Sequence, residues 1–307
     1  MIDAAVIGAR IVQFIAAVVL FGTPLFFLYG IRGPAAAAQQ WLRPLLAVSA
    51  GAVLVGALVS LCAQTAVMAG DPAAALDPDI LSSVLGDSAF GRAIIVRCAA
   101  ALAALTACLV LRPAPKLWIA LSGFGAMVLA TFAWTGHGAA EEGAAGLIHA
   151  AADVLHLLAA GVWLGALVVL AILLGRTRPT DDRASLEPLH DALKGFSSIG
   201  SAVVAVILAT GLVNSWFLVG PDRILSMADS TYGLLLLVKL GLFVAMLGLA
   251  ALNRFFLTPA LQMGLAHDDP APAIANLRRT VLVETTAGVA IMILVGVLGT
   301  LAPVISL

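Results

Sequence analysis

Eight apolar runs, each close to the ~20 residues that cross a bilayer as a helix, constrain this 307-residue chain more than any other feature. They fall at about 4–29, 42–69, 90–111, 116–136, 146–174, 196–219, 231–257 and 276–301. In hydrocarbon every backbone N–H and C=O must be satisfied internally, which leaves only helices and closed barrels. No run alternates apolar and polar residues as a barrel strand does. The sequence therefore predicts an all-α polytopic membrane protein, one bundle of eight transmembrane helices forming a single domain over 1–307. A net charge of −1 offers no basic surface to a nucleic acid, so the lipid bilayer is the expected partner. The first run lacks a basic leader and an A-x-A cleavage site and reads as a retained span.

Orientation follows from the distribution of Lys and Arg between loops. Eleven of the sixteen basic residues, among them Arg32, Arg43, Arg112, Arg176, Arg254 and Arg278, fall on one side of the predicted spans. Asp71, Asp77, Asp79, Asp87, Glu141, Glu142, Asp222 and Asp229 fall on the other. This predicts that the N-terminus and the C-terminus are both external. The longest external segment, roughly 70–90, carries enough apolar residues for a short helix in the interface. No water-soluble domain is appended to the spans in this sequence, so any soluble chemistry is expected from another chain.

The polar residues inside the apolar runs are the candidates for function, because an ionisable group at membrane depth is expensive. His149, Asp153 and His156 lie on the fifth run at offsets of 0, +4 and +7. On a helix these positions fall within about 60° of one another. Imidazole with carboxylate is a set that suits transition metals. His137 ends the fourth run at the same external interface, so three of the five histidines gather on one side. The alternative is that these histidines only hydrogen-bond between helices.

Asp153 requires a partner, and Lys239 and Arg97 lie at matching depths on their own runs. It can pair with a cation or orient a ligating histidine. Glu284, nearer the inner side, is either a structural partner of Asn253 and Arg254 or an acidic relay. Asn214 and Trp216 offer polar lining or an interfacial anchor. Cys62, Cys98 and Cys108 read as small buried hydrophobes, with Cys62 and Met68 as further soft donors should the ion be Cu(I). Met227 is a third such donor. Gly161 and Gly165, four residues apart around Trp163, are a close-packing device that places the histidine helix inside the bundle.

His149-x3-Asp153-x2-His156-x6-Trp163-x-Gly165 resembles the central signature of the copper resistance protein D (CopD) family of bacterial inner-membrane proteins. Trp134-Thr-Gly-His137, Thr210-Gly211, Tyr232-Gly233 through Lys239, Asn253-Arg254-Phe255, Pro259, Glu284 and Pro303 are also similar. The likeness covers 116–307, while 1–115 matches mainly in hydropathy. It implies an eight-helix inner-membrane protein that moves copper toward the cytoplasm, with His149, His156 and His137 as ligands and a separate CopC-like periplasmic donor. No GxxxxGK[ST] motif for an ATP-driven pump and no nucleophile–base constellation for an enzyme occurs. A copper-transferring scaffold and a b-type haem electron carrier are the rival readings.

Overall fold

The computed structural model describes residues 2–31, 39–136, 143–178 and 183–306 of the chain. His137, Arg32, Glu141 and Glu142 lie outside the described residues. The described residues form helices and turns with no strand, and eight helical segments are long and apolar enough to cross a membrane.

The helices are α1 (Ile2–Tyr29), α2 (Leu42–Ala69), α3 (Pro78–Asp87), α4 (Ala89–Val110) and α5 (Pro115–Ala130). They continue with α6 (Gly143–Arg176), α7 (Arg183–Leu218), α8 (Thr231–Leu252), α9 (Thr258–Ala266) and α10 (Ala271–Leu298). The short α3 is the helix expected between the second and third spans. Asp77 caps it through its side chain, and Val84 packs with Ala57, Leu61 and Ile94 of α2 and α4.

Helix α1 is the hub and touches α2, α5, α6 and α10. In its most apolar stretch 72% of residues are buried, against 11% in the α7 and α8 spans, which lie at the periphery. Glycine makes the hub possible. A β-carbon on Gly22 would collide with the backbone of Gly161 and Gly165, and one on Gly125 would meet the backbone of Phe21. The Gly161–Gly165 pair thus sets α6 directly against α1, as small residues four apart allow.

Two spans extend further than hydropathy suggests. Helix α7 begins near residue 183, not 196, because its first turns carry Glu187, His190, Asp191 and Lys194, which an apolar scan passes over. Its 36 residues exceed the ~20 that fill a bilayer core. After α8 the chain continues through a π-turn, Asn253–Leu257, into α9. Single π-turns in α-helices recur at functional sites; this one places Asn253 beside the last helix.

Candidate metal-handling chamber

The stripe on α6 meets a second stripe on α7. His149 is buried with 3% exposure, and its ring stacks on Phe217 with centroids 4.7 Å apart and planes at 8°. One level deeper, Asn214 Nδ2 donates to Asp153 Oδ1 at 3.4 Å. Deeper again, His156 Nδ1 lies 3.0 Å from Thr210 Oγ1. The α7 positions 210, 214 and 217 repeat in reverse the spacing of 149, 153 and 156. Two antiparallel helices thereby present three matched rungs, because both sets follow the i, i+4, i+7 face.

The lowest rung fixes a tautomer. The Thr210 hydroxyl donates its only hydrogen to its own helix, to Val206 O at 2.6 Å. Its oxygen is left to accept, so His156 Nδ1 carries the ring proton and Nε2 keeps its lone pair. Gly211 lies against the imidazole, where a β-carbon would make ordinary contact at 3.6 Å from His156 Cε1. The upper rungs are incomplete: His149 Nδ1 and Asn214 Oδ1 are buried without a hydrogen-bond partner among the described residues. Buried polar atoms are nearly always satisfied, so two such atoms on one helix pair leave bonding capacity open beside the cavity.

His149, Asp153, His156 and Asn214 of these rungs line a cavity of about 550 Å³. Its far wall brings Arg10 from α1 and Tyr232 and Lys239 from α8, all three within electrostatic reach of Asp153. Met246 and Met292 add thioether sulfur, and Trp163 lies at the deep end, two turns below His156. Neutral imidazole nitrogen and thioether together are donors suited to a soft first-row ion.

Two family models match the sequence. Residues 1–147 match the model described as copper resistance protein D-like, N-terminal domain, and residues 190–298 match copper resistance protein D. The chain belongs to the copper resistance protein D family. The α6 stripe lies between the two matched segments. Copper resistance protein D of Pseudomonas syringae pv. tomato is 37% identical over 97% of this chain and 96% of its own length. Copper transport protein CutJ of Bacillus subtilis is 29% identical over 92% of this chain, which spans half of that protein. Inner membrane protein YebZ of Escherichia coli is 27% identical over 97% of this chain and 98% of its own. No solved structure matches the chain. With eight spans, these relatives identify a copper-related, multi-pass protein of the bacterial inner membrane.

In this CopD-family protein the residues singled out by sequence separate into three groups. His149, Asp153, His156, Asn214 and Lys239 share the cavity. The two histidines, seven residues apart, stand about 10 Å apart along the axis and form two levels, not one two-histidine centre. No group of three or more His, Cys, Asp or Glu among the described residues is placed to hold a metal ion. Glu284 lines a separate cavity beneath, and Arg97 lies among α1, α4 and the turn after α5, bonded to Gln13, Thr131 and Thr135. Of the two cations expected to match Asp153, Lys239 shares its cavity and Arg97 does not, and Arg10 joins Lys239 there.

The three supplementary sulfur donors do not reach the chamber. Cys62 and Met68 lie on α2, which packs on α1 and α4, and Met68 is 57% exposed. Met227 is buried with Val219, Tyr232, Leu236, Leu298 and Val304 in an apolar cap. Trp216 points outward, 63% exposed. The cavity draws instead on Arg10, Met246 and Met292, on helices that no sequence spacing ties to α6. The 0, +4, +7 spacing of Thr210, Asn214 and Phe217 repeats that of the α6 stripe and could have pointed to the α7 wall.

Proposed function

We propose that the chamber accepts copper from the periplasmic side and passes it toward the cytoplasm, with His149 and His156 as successive stations. The observation that carries this reading is the incomplete ladder. His149 Nδ1 is an orphan at the upper level, and Thr210 holds His156 in the tautomer that leaves Nε2 free to ligate at the lower one. Met292, on the cavity wall, supplies sulfur that favours Cu(I). Asp153 offsets part of the cation's charge, a cost that hydrocarbon otherwise makes prohibitive. The protein acts as a carrier, not an enzyme, and a CopC-like periplasmic protein is the donor. The excess of Lys and Arg in the opposite loops supports an orientation in which the chamber's upper end and both chain termini face the periplasm.

The test is copper uptake into sealed vesicles containing the purified protein. Wild type is expected to raise uptake above empty vesicles, and His149→Ala/His156→Ala to return it to that background. Uptake equal in the two proteins, or no uptake by wild type, overturns the reading.

A further inference from the structure

Below the histidine chamber lies a second cavity of about 270 Å³, lined by Ser197, Ser201, Asn253, Arg254 and Glu284. Trp163 and Leu247 line both cavities. The Trp163 indole is 3% exposed and meets Phe243 edge-on at 6.0 Å. Its Nε1–H donates to Glu284 Oε1 at 2.9 Å. The other oxygen, Oε2, accepts from Asn253 Nδ2 at 3.0 Å, and the Thr280 hydroxyl donates to Asn253 Oδ1. The π-turn at Asn253–Leu257 presents that amide to the carboxyl.

Glu284 is 1% exposed, yet its two oxygens meet only neutral donors. Arg254, on the same turn, donates to Ser201 instead, and among the described residues Glu284 is bonded to Trp163 and Asn253 and to no cation. A buried carboxyl usually has a cationic partner because an isolated charge in hydrocarbon is costly. Here the anchor is an indole standing between two cavities. A small cation moving down from His156 would meet the ring first and the carboxyl directly behind it. A cation taking Glu284 Oε1 would also take the acceptor that holds the ring.

We propose that the two cavities are consecutive compartments of one route for a small cation, that Trp163 is the partition between them, and that Glu284 latches it shut. The inference extends the route proposed above but does not require copper to be the cargo.

Thiol accessibility tests it. Cys62, Cys98 and Cys108 are replaced by Ala, and Ser197→Cys places one thiol in the lower cavity. The protein is set in vesicles of known sidedness, and the membrane-impermeant cation 2-(trimethylammonium)ethyl methanethiosulfonate is added at the histidine-chamber end. With Trp163 in place the thiol reacts slowly from that end and rapidly from the opposite one. Trp163→Ala accelerates reaction from the chamber end by about ten-fold or more. Trp163→Phe, which keeps a ring but loses the N–H, and Glu284→Ala, which removes the acceptor, each do so by a few-fold to about ten-fold, the scale of one charge-assisted hydrogen bond.

Fast reaction from the chamber end with Trp163 present shows that no partition exists. An unchanged rate in Trp163→Ala, or in both Trp163→Phe and Glu284→Ala if Trp163→Ala does not fold, shows that the cavities do not communicate there. Either result overturns the proposal. Failure of the copper reading appears in vesicle uptake, which this assay does not measure.

Discussion

The protein buries two polar clusters in its upper half, and they are built on opposite plans. Around Arg97, 2% exposed, the guanidinium donates to Thr131 at 2.9 Å, Gln13 at 2.8 Å and Thr135 at 3.1 Å, and lies 3.9 Å over the Phe132 ring. Gln13 in turn donates to Ala9, Gly56 and Ser60. Arg97 and Gln13 use their polar groups within the cluster and tie α1, α2, α4 and the turn after α5 together. Around His149, Asp153 and His156 the helices are matched as carefully, yet two buried atoms have no partner among the described residues and a cavity stands beside them. A complete network rigidifies, while an incomplete one is costly without a ligand. The first cluster holds the bundle; the second leaves polar atoms and space uncommitted.

The comparison breaks most visibly at Arg97. Arg97→Leu strands Gln13 Oε1, removes the donor to two threonine hydroxyls and the cation over Phe132, and is expected to cost about 3 kcal/mol or more, read as a lower thermal midpoint in detergent. The molecules that remain folded should bind copper as wild type does. Arg97→Lys should not restore stability, because one ammonium cannot reproduce the forked geometry. Copper loss at unchanged stability would move Arg97 into the site.

A sharper division comes from Thr210→Val. It keeps the shape but removes the acceptor that fixes the His156 tautomer. Copper affinity is expected to fall about 10- to 100-fold, the usual cost of losing a partner that orients a ligand, and Thr210→Ser should restore it. Stability should change by less than about 1 kcal/mol, since the hydroxyl's own hydrogen bond is local to its helix. Equilibrium competition against a chelator gives the affinity.

The smallest effect belongs to Phe217→Leu, which removes the ring stacked on His149. The expected loss is about 0.5–1.5 kcal/mol of copper binding, with the His156 level undisturbed. A loss as large as that of Thr210→Val would mean that the upper rung, and not the lower, dominates affinity.

The sequence made one wall of the chamber legible because α6 follows a strict helical period through an apolar run, where His149, Asp153 and His156 stand out against Ala and Leu. The spans were legible for the same reason, and residue size at Gly161 and Gly165 signalled close packing of α6 in the bundle, though not that α1 was the partner. The starts of α7 and α9 escaped because charge and the π-turn interrupt the apolar pattern without interrupting the helix. Arg10, Met246 and Met292 escaped because nothing along the chain records which helices face α6. Cys62, Met68 and Met227 were named for their sulfur alone, and packing placed them elsewhere. Trp163 read as packing, which it is; its position between two cavities exists only in three dimensions.

The most direct test of the contrast between the two clusters is copper per protein, measured by mass spectrometry on purified protein loaded with Cu(I). Wild type is run beside His149→Ala/His156→Ala, with a thermal midpoint taken on each sample. The account predicts that wild type retains copper and that the double variant loses it with its midpoint little changed. Copper retained by a folded double variant would contradict it, and would make the α6 stripe a packing feature like the cluster at Arg97.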